Sequence, residues 1–136
     1  MDAVTLINEA IEARKNAYAP FSDFLVGAAL LTKEGKIYRG CNIESAVFSP
    51  SICAERVALS KAISEGEKNF TAIAIVGGAR GTEPVEPCFP CGVCRQVLSE
   101  HVSSLDDFII IVGTPVNYKV YTLRQLLPEA FVFEKE

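Results

Sequence analysis

The chain has no block of lysine and arginine, no apolar run of membrane length and no repeated or low-complexity tract. Without a basic stripe, and with a formal charge of −4 over 136 residues, nothing offers the positive surface that a phosphate backbone demands. Nucleic acid is therefore not an expected partner. No segment nears the roughly 20 apolar residues of a membrane span, and the N-terminal stretch lacks the basic start and apolar core of an export signal. The expectation is a cytoplasmic protein with no membrane partner. Histidine is reduced to His101 alone, a helix-length past the last cysteine pair and expected on the surface at a helix C-terminus, where the dipole favours it. Five cysteines, an odd number without an export signal, argue for thiols and a metal over a disulfide framework. What is abundant is apolar side chain, at 49%. That suffices for one core, and 136 residues leave no room for two, so a single domain over residues 1–136 is expected.

Apolar periodicity predicts a surface helix from Asp2 to about Tyr18, carried by Val4, Leu6, Ile7, Ala10, Ile11 and Ala17, and ended by Ala19-Pro20-Phe21-Ser22. A strand over about Phe24 to Thr32 turns at Lys33-Glu34-Gly35-Lys36 into a second at Ile37 to Asn42. The run Val26-Gly27-Ala28-Ala29-Leu30-Leu31 does not alternate, so both faces of the first strand should be buried. From Ser49-Pro50-Ser51 a second helix begins, with serine available as its cap and Gly66 as its stop. Ala72 to Val76 reads as the third strand, Gly77 to Pro90 as a loop, and Cys91 to His101 as the third helix. Phe108 to Val112 is the most hydrophobic strand and is expected at the centre of the sheet. Five residues, Gly113 to Asn117, separate it from Tyr118 to Tyr121. A parallel crossover takes a dozen or more, so these last two strands should be antiparallel neighbours. Thr122 caps a short helix through Leu127 that Pro128 stops. The fold class is α/β: a five-stranded mixed sheet between helical layers.

Chemistry concentrates in Ile52-Cys53-Ala54-Glu55-Arg56 and Pro90-Cys91-Gly92-Val93-Cys94-Arg95-Gln96. Cysteines separated by two residues at the start of a helix present both sulfurs on one side as a chelate, and Cys53 adds a third soft ligand from afar. Three thiolates on a tetrahedral zinc leave one position open. Such a site with a carboxylate two residues from a ligand suits water activation, because zinc lowers the pKa of water and a carboxylate moves its protons. At about 100° per residue, Cys53 and Glu55 cannot share one face of a helix, so the metal must sit off the helix end. There the dipole and free N–H groups stabilise a thiolate. Closed structural zinc is the competing use of the same spacing.

Cys53-Ala54-Glu55 followed by Pro90-Cys91-Gly92-Val93-Cys94 resembles the signature of the cytidine deaminase family, a ligand-x-Glu with a downstream Pro-Cys-x-x-Cys. Asn42-Ile43-Glu44, Phe24 and Leu126-Leu127-Pro128-Glu129-Ala130-Phe131 are similar to the small nucleoside-specific branch, and the likeness covers nearly the whole chain. The resemblance implies a homotetramer with active sites at subunit interfaces and one zinc ion per subunit. It also implies hydrolytic deamination of cytidine and deoxycytidine to uridine and deoxyuridine in pyrimidine salvage. Glu55 is then the proton carrier, taking a proton from the attacking water, protonating the ring at N3 and protonating the leaving amine. The resemblance assigns Asn42 and Glu44 to the ribose, with Glu44 accepting from the 3′-hydroxyl, and Phe24 to packing on the pyrimidine. Ala54 offers its backbone N–H to the base, and Phe48 and Phe131 reach neighbouring pockets. Three thiolates leave excess negative charge at zinc, which Arg56 and Arg95 are expected to offset by hydrogen-bonding the sulfurs.

The chain departs from that pattern in two places. Many relatives have Tyr where this chain has Phe48, so any hydroxyl contact there is lost. Cys88 makes Cys88-Phe89-Pro90-Cys91 a second chelate spacing, so a closed four-sulfur site or an iron-sulfur run stands as an alternative. Against both, Pro90 should break helical continuity and a closed site leaves Glu55 without a task. Cys41 reads as a buried small residue. Two other functions stay open, a deaminase of another cytosine-like nucleoside such as an antibiotic, and a noncatalytic zinc-stabilised domain.

Overall fold

The computed structural model describes residues 2–84 and 86–133, so the ends of the expected domain, 1 and 136, lie outside the described residues. The element order is α1 (Ala3–Arg14), β1 (Phe24–Thr32), β2 (Ile37–Cys41), α2 (Ala54–Ser64), β3 (Phe70–Ala79), α3 (Gly92–Ser99), β4 (Ile109–Thr114), β5 (Asn117–Thr122) and α4 (Leu123–Leu126). One five-stranded sheet runs in the order β2-β1-β3-β4-β5. Among the five strands described, β3 and β4 pair in parallel, joined through α3, and β4 and β5 pair antiparallel across a tight turn.

The sheet is covered on both faces. Ala28, Leu30, Ile73, Ile75, Ile110 and Val112 meet Ala58, Leu59 and Ala62 of α2 and Leu98 of α3, while Ala29, Ala72, Ala74, Val76 and Ile111 meet Leu6, Ile7 and Ala10 of α1. The three-layer arrangement follows from this parity, since neighbouring strand residues point to opposite faces. Each large aliphatic side chain so buried contributes about 1.5–3 kcal/mol. Two glycines set the spacing of the layers: a Cβ on Gly27 would stand 2.0 Å from the Ala10 carbonyl oxygen, and one on Gly40 2.3 Å from that of Ala54.

Several expectations needed correction. α1 is capped by Asp2, whose carboxylate accepts from the Thr5 N–H at 2.7 Å, but it ends at Arg14 and not Tyr18. Tyr18 is drawn out of the helix because its N–H donates to the Asn42 carbonyl at 2.9 Å and it bridges to Ile43. β3 is longer than Ala72 to Val76, reaching Ala79, because β1 pairs with it from Phe24 to Thr32. It is also β3, not the more hydrophobic β4, that occupies the centre. β3 is built of small residues where α1 closes on it, so hydrophobicity marks burial on two faces but not central position.

Candidate metal and substrate site

Two helices begin at one point. α2 and α3 are each preceded by a cysteine in extended backbone, Cys53 with φ −73° and ψ 153°, and Cys91 with φ −69° and ψ 168°. The expected serine cap of α2 is absent, because the Ser51 hydroxyl accepts from the Ser45 N–H at 2.9 Å and is occupied in the preceding loop. Cys53 stands in its place with no side-chain cap bond, which leaves its sulfur free of the backbone N–H groups of the helix it opens.

Cys53, Cys91 and Cys94 form a cluster with all sulfurs within 4.8 Å of one another. The Cys53–Cys91 separation is 3.8 Å and the Cys91–Cys94 separation 3.5 Å. Tetrahedral zinc with bonds of about 2.3 Å would hold sulfurs about 3.8 Å apart, so the trio is spaced to take one ion. The protons are distributed accordingly. Hydrogen bonding from the Cys94 thiol, with help from Arg56 and Cys91, brings Cys53 down to about 5. Cys94 is pushed well above the ordinary thiol range by the same bond and by burial. A thiolate is thus already favoured at Cys53, as a soft-metal ligand requires.

Arg56 Nη2 donates to Cys53 Sγ at 3.9 Å, and its Nε is buried without a partner. Arg95 does not reach the sulfurs in this way. Its Nε donates to the Pro90 carbonyl at 2.8 Å and its Nη1 to the Leu126 carbonyl at 2.9 Å. It ties the residue before Cys91 to the end of α4, and thereby supports the loop that carries the ligand instead of tuning the ligand itself.

Glu55 is 4% exposed, and burial raises its carboxyl to about 7, with the Cys53 thiolate adding to the rise. It faces a cleft of about 720 Å³ that also takes in Phe24, Asn42, Glu44, Phe48, Cys53, Ala54, Arg56 and Cys91. That volume suits a small organic molecule. Ala54, the first helical residue of α2, has an N–H with no intrahelical acceptor, available to a ligand in the cleft. Cys94 is buried behind the cleft wall. Phe48 is 90% exposed at the rim, and Phe131 is 69% exposed and outside the cleft lining.

Asn42 and Glu44 reach the cleft because the chain beyond β2 makes a small bridge: Ile43 exchanges hydrogen bonds with Ile52 at 2.9 Å in each direction. This sets the pair beside Cys53. Asn42 is held against β1, its Oδ1 accepting from the Val26 N–H and its Nδ2 donating to the Phe24 carbonyl, both at 2.9 Å. Glu44 accepts from the N–H groups of Phe21 and Ser22 at 3.0 and 3.1 Å and from the Ser22 hydroxyl.

Cys88 lies outside the sulfur cluster. It lines the cleft, where its Sγ and the Phe24 ring both lie against the bare backbone of Gly77, and burial raises its thiol to about 11. Neither the closed four-sulfur site nor the iron-sulfur run is formed. Cys41 is half-buried and likewise apart, and His101 is exposed just past α3. Two further cleft residues carry no sequence signal of their own. Phe89 packs on Tyr121 with ring centroids 5.7 Å apart, and Ser22 lies in the segment whose sequence reads only as a helix stop.

The profile of the cytidine and deoxycytidylate deaminase zinc-binding region matches residues 2–110. The cytidine deaminase of Halalkalibacterium halodurans is 45% identical over 134 residues, 98% of this chain and 97% of that protein. That of Sporosarcina psychrophila is 43% identical over 131 residues, 96% and 92% of the two chains. The crystal structure of cytidine deaminase from Burkholderia pseudomallei superposes with a TM-score of 0.85 at 41% identity, covering 96% of this chain and all of that one. With three sulfurs spaced to hold a metal ion at the paired helix starts and this match along most of its length, the chain belongs to the cytidine and deoxycytidylate deaminase family.

Proposed function

We propose that this protein hydrolyses cytidine and deoxycytidine to uridine and deoxyuridine with release of ammonia, using one zinc ion per chain. The observation that carries the reading is the pairing of a three-sulfur cluster with a buried carboxyl on the same cleft, Glu55 lying two residues from Cys53. Cys53, Cys91 and Cys94 would hold the zinc ion, which would supply the Lewis acidity that makes water a nucleophile near neutral pH.

Glu55 takes the proton of the attacking water and delivers it to N3 of the pyrimidine as the C4–O bond forms. It then takes the second proton, from the new C4 hydroxyl, and passes it to the departing amine as the C4–N bond breaks, which leaves the C4 carbonyl of the product. Its carboxyl, raised to about 7, holds and releases a proton at the pH where such transfers are most efficient. Arg56 offsets the charge gathered on Cys53. Phe24 packs on the pyrimidine, the Ala54 N–H meets the base, and Asn42 and Glu44 bind the ribose. A carboxylate that already accepts three hydrogen bonds has room for about one more, which suits a single sugar hydroxyl at Glu44.

The chain acts as one domain and assembles as a homotetramer in the cytoplasm, in pyrimidine salvage. Phe48 and Phe131, 90% and 69% exposed, are the aromatic side chains that would be covered by neighbouring subunits and reach their pockets.

The test follows the ultraviolet change of cytidine with the wild type and Glu55→Gln, zinc content measured alongside. The wild type turns over, and Glu55→Gln keeps its zinc while losing roughly 10²–10⁴-fold in rate. A zinc-replete wild type inert toward every cytosine nucleoside would reject the reading in favour of a structural metal.

A further inference from the structure

We infer that Ser22 is a positioning residue for the sugar end of the cleft, its hydroxyl joining the Glu44 carboxylate to the backbone of Phe24. The inference rests on the reading of Glu44 as acceptor of a sugar hydroxyl and goes beyond it by naming what aims that acceptor.

The Ser22 hydroxyl donates to Glu44 Oε2, and the Phe24 N–H approaches Ser22 Oγ at 3.1 Å. An N–H can only donate, so Oγ accepts from Phe24 and its one proton goes to Glu44. The direction of the relay is therefore fixed. On the other carboxylate oxygen, Oε1 accepts the N–H groups of Phe21 and Ser22 at 3.0 and 3.1 Å. The remaining free lone pair belongs to Oε2, the oxygen whose direction Ser22 sets. Without the hydroxyl, Oε2 is released while Oε1 stays anchored, and the carboxylate can turn about that anchor. The same hydroxyl is the largest reason that Glu44 stays below the ordinary carboxylate range.

The segment carrying Ser22 is itself fastened. Asp23 has φ 60°, a left-handed conformation that Asp tolerates better than most residues. Its N–H donates to the Ala19 carbonyl at 3.0 Å, and its own carbonyl accepts from the Arg80 N–H at 2.8 Å. Arg80 Nε meets Asp23 Oδ1 at 2.6 Å and Nη2 reaches the Ala19 carbonyl at 3.5 Å. The charge of Arg80, which is paired with Asp23, also lowers Glu44. A turn closed by its own backbone and clamped from the end of β3 places Ser22 rigidly, as aiming a single acceptor requires.

The test measures kcat and KM for cytidine and 3′-deoxycytidine with wild type, Ser22→Ala and Ser22→Thr, and titrates the Glu44 carboxyl carbon by NMR without substrate. Ser22→Ala raises KM for cytidine about tenfold with kcat within about twofold, whereas the 3′-deoxy substrate, having nothing to donate, changes by less than about twofold. Ser22→Thr restores KM, and the Glu44 pKa rises in Ser22→Ala only. Equal losses on both nucleosides, an unchanged KM, or a Glu44 titration indifferent to the substitution would overturn the inference. A wild type that turns over neither nucleoside defeats the functional reading instead, and the Glu44 titration then still decides whether Ser22 holds the carboxylate.

Discussion

Gly40 of β2 and Ala54 of α2 touch backbone to backbone: a Cβ on Gly40 would stand 2.3 Å from the Ala54 carbonyl oxygen and 2.5 Å from the Ala58 nitrogen. Ala54 separates the candidate ligand Cys53 from the buried Glu55, so the bare strand position fixes the height of the site above the sheet. Gly40→Ala must lift the start of α2. We expect a loss of about 1–3 kcal/mol, as for other overpacked cores, together with weaker zinc retention. Thermal unfolding and metal content check both, and a variant unchanged in each would show that the helix start moves freely.

Arg56→Ala removes the cation on Cys53 and leaves the thiolate charge uncompensated. Zinc affinity, measured by competition with a chelator, should fall roughly 10–100-fold. Arg56→Lys should recover only part of this, because an ammonium cannot reproduce the planar donor fork. Equal affinity in all three proteins would remove Arg56 from the metal's surroundings.

Cys88→Ser separates the open cluster from a closed one. The substituted protein should hold one zinc per chain by elemental analysis, as the wild type does, while Cys91→Ser loses the ion. Zinc lost from Cys88→Ser would mean a fourth sulfur contributes after all.

The Tyr38 hydroxyl donates to Glu67 Oε2 at 2.7 Å, and this bond, with burial behind it, raises Tyr38 from 10.0 to about 12. The folded state favours the neutral phenol. Its contribution to stability is whole below pH 10 and disappears as pH climbs through about 12. Denaturant unfolding of the wild type and Tyr38→Phe from neutral to alkaline pH should show a gap that closes over that window. A gap independent of pH would assign the difference to packing.

The candidate ligands are legible in the sequence because chelate spacing is a local property: Cys91 and Cys94 lie within one turn, and Cys53-Ala54-Glu55 sets the proposed proton carrier two residues from a cysteine. The buried faces of β1 are legible for a similar reason, since unbroken apolarity from Val26 to Leu31 reports cover on two sides. The reach of β3 is not. Gly77 and Gly78 read as loop, yet they extend the strand because Val26 and Leu25 of β1 pair with them, and the bare backbone of Gly77 leaves room for Phe24 and Cys88. The direction of Arg95 is hidden too, since sequence adjacency to Cys94 says nothing of the Pro90 and Leu126 carbonyls that capture it. Ser22 is invisible for the same cause, its partners being Glu44, distant in sequence, and a backbone N–H.

The sulfurs of Cys53 and Cys91 are drawn together across 38 residues of chain. An ion spanning them closes a loop that the unfolded polypeptide leaves open, so its binding energy is spent on assembly as well as on reactivity. Newly made chains would therefore compete for zinc before they are fully built. The abundance of working enzyme would follow the cell's supply of the metal, even where the gene is expressed at constant level.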